Sequence, residues 1–557
     1  MKGYKKNMTE YKKIYFGFDH YELSQEPKIK EILTTKLRGF QDDIYPNDND
    51  FLPLEGPDDY RVVHPFHNIR TMMYELDHPY IVESKSTDWL IDNNVPFIYP
   101  IGTAGGPWDW TQKLVIKSSK GVTEEESPRR YLFKFIKEKT KQAIRDKKGY
   151  IVLDMSFEGF PIVQTHKKTT EFLSFNLINS LYLACERENI PPEQVVFCHG
   201  NLLAEKQLTE FNKKNNITNP IKTLECIWYE TQIKNRVENQ VKESEVQSLN
   251  LKIPHEYNWR RPKEGIMKIA EKRFEENFNY KVQNLESMKK FQCLVRRPKT
   301  VRAFTMLGLN YYDLLKHGEC SFSLKFSFLD SDHIGDLDDN RKLRPEGLDG
   351  RHYNGDAPGP EDAKLLLDKD LSGKIAPNYL YRHTRMFGSS ENIRSMENIN
   401  NFVDKLPLKY DTYDLAEIDS LTYQNNQYNN TFFSVLPETW YDDMNIVFFS
   451  EKIFKTVGGF HPFTLISNPN SLKYFEKLGY KNFDFGVDFD SIKSPVRRIQ
   501  KIFPIVQNLC SLSNKELLDW YSNQSDILIH NYYTLMSQER VRENARTLLN
   551  LYEGISG

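Results

Sequence analysis

The sequence predicts an α/β protein of two Rossmann-like domains facing across a cleft, with a long irregular insertion in the second domain. Three observations predict it. In both halves of the 557-residue chain, short apolar runs bounded by turn residues alternate with helical patterns, the order that builds parallel sheets through right-handed crossovers. A charged, helix-prone stretch separates the halves. Aromatic residues make up 13 % of the chain, which supplies burial for two cores although apolar residues total only 39 %. The domains are expected at 1–230 and 289–540, joined by a helical connector at 231–288, with the insertion at 330–437 and a C-terminal helix at 541–557.

In the first half, KKIYFGF (12–18), VPFIYPI (95–101) and YIVLDM (150–155) read as buried strands. After the third come a helical pattern, FLSFNLINSLYLACEREN, the strand VVFC (195–198) and a second helix from near Leu202. Residues 231–288 are broken at Pro254 to Pro262 and are expected to pack on the surface of the first domain. The second alternation opens with FQCLV (291–295), a helix through about Leu315 and a strand at 321–326. The pattern is then lost from Leu329 to about Pro437, a stretch full of Asp, Asn, Gly and Pro, which marks the insertion. It returns at NIVFF (445–449), read as a buried strand, with Ser450 as N-cap, a short helix at 451–457 and Gly458-Gly459 as its stop. A strand at 462–467, a helix at 471–478 and a helical tail with a capping box at Ser513 and Glu516 complete the pattern.

The 75 Lys and Arg against 77 Asp and Glu leave a formal charge of −2, so binding to nucleic acid by bulk positive charge is excluded. Six cysteines without a C-x-x-C spacing argue against a disulfide scaffold or zinc ribbon and fit a reducing compartment. The basic N-terminus lacks an apolar stretch long enough for a signal peptide, and no run approaches the length of a membrane span. A soluble, cytoplasmic protein is expected.

Open parallel sheets bind ligands at the carboxyl ends of their strands, and three such junctions carry unusual polar residues. At Ser450-Glu451-Lys452-Ile453-Phe454-Lys455, a helix N-terminus favours an anion, Lys452 and Lys455 add cations, and Glu451 suits a pair of sugar hydroxyls. The plainer reading is an i,i+4 surface pair of Glu451 with Lys455. At the second junction Arg296, Arg297, Lys299 and Arg302 form a diphosphate clamp or, singly, a solvated basic turn. At the third, Cys198-His199-Gly200-Asn201, His199 is a candidate general base. Asp154, ending its strand, and Glu158 just beyond are further candidate bases. Asp19-His20 and the Gly102 to Gly106 loop complete that rim. No metal site is expected. The run from Asp330 to Asp338 has calcium-loop spacing but carries Ile334 and Arg341 where ligands belong, and His64 with His67 lacks further ligands. Walker A, H-E-x-x-H, G-x-S-x-G and G-x-G-x-x-G motifs are absent.

FQCLVRRPKTVRAFTMLGL and NIVFFSEKIFKTVGGFHPFTLISNPNSLKYFEKLGYKNFD resemble the C-terminal half of a group of glycosyltransferase-like proteins of tailed phages. That group shows N-R-R-P-x-x-x-R, then T/S-E-K-x-x-K-P before G-x-P-F. Here Val295 replaces the Asn, Thr456 the Pro and Phe460 the Gly. IPPEQVVFCHGNLLAEKQ is similar to the same group's Pro-Pro-Glu…Gly-Asn turn. The second motif also resembles the donor-site helix of fucosyltransferase-like and exostosin-like enzymes of the GT-B fold. The resemblance implies a metal-independent glycosyltransferase with a nucleotide-sugar as donor substrate and no separate cofactor. Glu451 would take the donor ribose, Lys455, Lys452 and Arg297 the phosphates, and the base would come from the opposite domain. It implies a phage origin and hence a host cytoplasm. Two alternatives stand beside it: a catalytically inactive GT-B scaffold that binds a glycan or protein, and an enzyme whose acceptor is a modified base of phage DNA, approached along Lys12, Lys13, Lys167 and Lys168.

Overall fold

The computed structural model describes residues 12–19, 80–102, 113–118, 121–126, 136–156, 162–164, 173–239, 263–295, 300–322, 392–406, 426–438 and 446–556, with isolated positions between them. The apolar runs of the first half form one sheet: β1 (Lys12–Phe18), β2 (Tyr80–Ser86), β3 (Phe97–Gly102), β6 (Gly149–Met155), β9 (Val195–His199) and β10 (Lys222–Glu225). Its order is β10-β9-β6-β3-β1-β2, every neighbour parallel. The winding reverses between β1 and β3, as in doubly wound folds. β6 and β9 are buried at every position, which is why they read as continuous apolar runs and not as an alternation.

Helices cover both faces. Helices α2 (Glu138–Arg145), α3 (Leu177–Arg187) and α4 (Ala204–Lys214) pack Ile144, Leu181 and Leu208 on the side of Phe97, Leu153 and Phe197. A short helix, α1 (Thr87–Asp92), follows β2. The other face, with Ile14, Phe16, Ile98 and Val152, is covered from the far end of the chain by α14 (Glu539–Ser556) through Val541, Ala545, Leu548 and Tyr552. Tyr552 Oη donates to Pro96 O at 3.1 Å and accepts from Tyr15 N at 3.3 Å.

Two connections leaving the carboxyl edge of this sheet knit into an antiparallel sheet that the sequence pattern did not predict. β4 (Lys113–Ser118) and β5 (Gly121–Glu126) lie after β3; β7 (Val163–Gln164) and β8 (Leu173–Asn176) lie after β6. Their order is β5-β4-β8-β7, with Val115 opposite Ser174.

The second parallel sheet contains β11 (Lys289–Leu294), β12 (Gly318–Ser321), β13 (Thr431–Pro437) and β14 (Phe463–Ile466) in the order β12-β11-β13-β14. Its winding reverses between β11 and β13, the same relation as in the first sheet. α7 (Thr300–Tyr311) crosses from β11 to β12, and α9 (Glu451–Gly458) from β13 to β14. α10 (Ser471–Lys477), α11 (Pro495–Ser511), α12 (Asn514–Ser522) and α13 (Ser525–Ser537) complete the layer. α7 is buried at each position from Val301 to Asn310. It approaches α11 closely at Gly308, where a Cβ would stand 1.9 Å from the Phe503 ring.

Three expectations are corrected. The central strand of the second sheet is Thr431–Pro437, inside the stretch expected as irregular insertion, while residues 446–450 are buried extended chain outside any sheet. That stretch also contributes α8 (Met396–Val403), whose Asn398 accepts at Oδ1 from Asn310 Nδ2 of α7 at 2.8 Å. The described part of the charged connector packs on the second domain: α5 (Trp228–Asn239) and α6 (Lys263–Gln283) bury Tyr229, Ile233, Val237, Ile266 and Ile269 in the core of the second sheet. Of the strand expected at 321–326, Ser321 closes β12 (Gly318–Ser321), Phe322 makes an isolated bridge to Leu408, and 323–326 lie outside the described residues. No described helix is long and apolar enough to cross a membrane.

Candidate functional site

The carboxyl edges of the two sheets meet. The loop after β9 touches the extended segment that leads into α9: Leu202 N donates to Val447 O at 2.8 Å, and Val447 N donates to Asn201 Oδ1 at 3.2 Å. Asn468 Nδ2 donates to Ile446 O at 2.7 Å, and Phe448 meets Tyr229 edge-on at 6.0 Å. These partners satisfy backbone groups that a neighbouring strand would otherwise take, so residues 446–449, strand-like in sequence, lie in no strand.

At the end of this segment Ser450 caps α9, its hydroxyl accepting from Lys452 N at 3.4 Å and from Lys452 Nζ at 3.1 Å. Lys452 Nζ also reaches Glu451 Oε1 at 3.0 Å. The Glu451 side chain is only 15 % exposed, so it is not part of a solvated surface pair. Burial pushes its carboxyl up, but the charges of Lys452 and Lys455, the Lys452 hydrogen bond and Arg302 outweigh burial and bring it down to about 2. Arg302 stands in the first turn of α7, 5 % exposed. Arg302, from the second junction, therefore lies within electrostatic range of Glu451, from the first, at the winding reversal between β11 and β13.

The same place holds a residue the sequence reading missed. Glu438 follows directly on β13, is 1 % exposed, and accepts at Oε1 from Ser450 N at 3.2 Å. Its signal was an acid closing the run TFFSVLP, hidden because that run was read as insertion.

On the first sheet, Asp154 and His199 are not brought together as a pair. The register sets Asp154 beside Cys198 and Met155 beside His199, so strand alternation turns the two side chains to opposite faces. Asp154 accepts from Ser156 N at 2.9 Å and from Ser156 Oγ, and burial raises its carboxyl. His199 is 2 % exposed beside Phe197. Burial brings it down to about 4, opposed by the Asn201 backbone, and neither ring nitrogen has a well-placed hydrogen-bond partner among the described residues. Asp19, at the end of β1, accepts from Thr87 Oγ1 at 2.6 Å, Lys137 N at 2.7 Å, Tyr99 Oη at 3.2 Å and Thr140 Oγ1. This rim acid ties β1 to α1 and α2.

Arg296, Arg297 and Lys299 of the second junction, Glu158, His20, residues 103–106 of the glycine-rich loop, His64, His67, Lys167, Lys168 and the 330–338 loop lie outside the described residues. Lys13 pairs with Glu83 at 2.6 Å near the start of β1, at the amino edge of the first sheet, so it does not adjoin the meeting edges. Comparison with protein-family models, with curated proteins and with solved structures returns no match.

Proposed function

We propose that the chain transfers a glycosyl group from a nucleotide-sugar, held at α9 of the second sheet, to an acceptor hydroxyl presented by the first, in a GT-B-like arrangement. The observation that carries this reading is the convergence of Arg302 and Glu451, from two separate strand-to-helix junctions, at the winding reversal of the second sheet. Glu451 stays ionised and accepts from the ribose hydroxyls. Lys452, Lys455, Arg302 and the α9 N-terminus face the diphosphate as its charge grows. The bond from the anomeric carbon to the diphosphate oxygen breaks, the bond to the acceptor oxygen forms, and the hydroxyl proton passes to a base. His199 is the base of this reading, because its loop touches the segment that leads into α9. Asp154 and Glu158 are the other candidates; Asp154 already holds Ser156. A parting and closing of the Asn201–Val447 contact would admit substrates and then exclude water.

Thermal unfolding in the presence of a panel of nucleotide-sugars and free nucleoside diphosphates tests the donor site. A rise of several degrees with one base and one sugar is expected, lost in Glu451→Gln and Lys455→Ala variants that keep their helical circular dichroism. Stabilisation by none of the panel sinks the donor site and leaves an inactive binding scaffold as the better reading. Donor binding without turnover on glycan, protein or modified-DNA acceptors sinks the enzyme alone.

A further inference from the structure

The face of the first sheet opposite His199 gathers sulfur. Cys198, on β9, lies in register with Leu224 of β10, and Cys226 follows two residues beyond Leu224, on the same face, with its N–H donating to His199 O at 2.9 Å. The Cys226 thiol stands 3.7 Å from Met72 Sδ. Asn544 Nδ2 of α14 donates toward the same Cys226 sulfur at 3.8 Å. All three sulfur residues are buried, at 0 %, 6 % and 2 % exposure for Cys198, Cys226 and Met72. They come from three distant parts of the chain, and the hydrocarbon side chains of Phe18, Val196 and Leu548 surround them in one core.

We propose that Cys198, Cys226 and Met72 form a binding site for a soft monovalent metal ion, copper(I). Metal–thiolate bonds of about 2.3 Å place the sulfurs of a trigonal site roughly 4 Å apart, and the Cys226 and Met72 sulfurs already stand 3.7 Å apart. The donor set decides the class of ion. Two thiolates and a thioether select copper(I), whereas among the described residues no three His, Cys, Asp or Glu side chains gather into a site for zinc or a harder ion. The charge balance closes: two thiol protons leave to solvent, two Cu–S bonds form to thiolates and one to the neutral thioether, and the site carries one negative charge. The Asn544 amide faces the Cys226 sulfur, and Arg540 lies within electrostatic reach of it. Two acids act against this charge: Asp154, near Cys198, which is bound to Ser156, and Glu225, the chain neighbour of Cys226, which pairs with Arg540 at 3.8 Å.

The test is anaerobic titration of the full chain with copper(I) alone, supplied as its acetonitrile complex, against a chromogenic copper(I) chelator. One equivalent per chain is expected to resist the chelator. X-ray absorption of the unsubstituted protein should show three sulfur neighbours at about 2.3 Å. Cys198→Ser and Cys226→Ser should lose the retained metal. Met72→Leu, which preserves volume and hence the fold, should release it to the chelator with unchanged circular dichroism. Cys510→Ser, in the second-domain core, should retain it. The proposal is overturned if the unsubstituted chain retains no copper, if retention survives the Cys198→Ser/Cys226→Ser double variant, or if Met72→Leu retains as much as the parent.

Discussion

Asn201 and Val447, which are 246 positions apart in sequence, are joined by a 3.2 Å hydrogen bond from the Val447 N–H to the Asn201 side-chain oxygen. The same oxygen accepts from Leu203 N at 3.1 Å. One side chain thus shapes the loop after β9 and docks it on the segment that enters α9. Asn201→Ala leaves the buried Val447 N–H and the half-buried Leu203 N–H without this acceptor, which costs about 1–3 kcal/mol. Urea unfolding should show that loss, with Asn201→Asp, which keeps an acceptor oxygen, closer to the parent. Equal stability of the alanine variant and the parent would mean that the domain contact does not depend on this bond.

Glu451 contributes a distinct acid response. Its carboxyl lies near 4.5 in the unfolded chain and at about 2 in the folded one. The lowered value means that its contribution is present above pH 4.5 and is lost as the pH falls toward 2. Glu451→Gln should remove that part of the acid limb, so the stability curves of parent and variant converge as the pH is lowered. Parallel curves from pH 6 to pH 2.5 would contradict the ionised, cation-held carboxylate.

Lys281 of α6 gives the opposite end of the pH scale. Its ammonium donates to the carbonyls of Tyr428, Asn429 and Thr431 at 2.5–3.1 Å. Burial lowers it from 10.5 to about 7, with Glu319 opposing. Between those values the unfolded chain holds more protons than the folded one, so stability rises with pH from about 7 toward 10.5 by up to roughly 1.4 kcal/mol per unit. Lys281→Met should abolish this rise. Denaturant midpoints at pH 7, 8 and 9 measure it, and a rise persisting in the variant would assign it to other groups.

Gly308 tests the packing of the second core. Alanine at a helix interior gains about 1 kcal/mol over glycine by propensity, but here its Cβ would meet the Phe503 ring at 1.9 Å. Phe503 is buried and packs against the rings of Phe304 and Tyr312. Overpacking should win, with a net loss of roughly 2 kcal/mol in the unfolding free energy. A stabilised Gly308→Ala variant would show that α7 and α11 can separate.

The parallel α/β class and the caps at Ser450 and Ser513 were legible because each depends on residues close together in sequence. A cap needs a hydroxyl within three residues of the N–H it accepts from, and a buried parallel strand needs an unbroken apolar run. NIVFF and TFFSVLP meet the second condition equally well. Which of them joined the sheet depended on partners elsewhere: Asn201, Leu202 and Asn468 take the backbone groups of the first, while β11 and β14 take those of the second.

The same distinction governs the site. The chain by itself determined that Glu451, Lys452 and Lys455 share a helix start and that His199 ends a strand, since these follow from local spacing. Only the tertiary structure decided that Arg302 lies within electrostatic range of Glu451, that Glu438 accepts from the Ser450 N–H beside it, and that Asp154 and His199 face away from each other. It also decided that Cys226 meets Met72 and that Cys198 shares their buried face. Those relations depend on register and winding, which long-range burial selects, and no window of neighbouring residues encodes them.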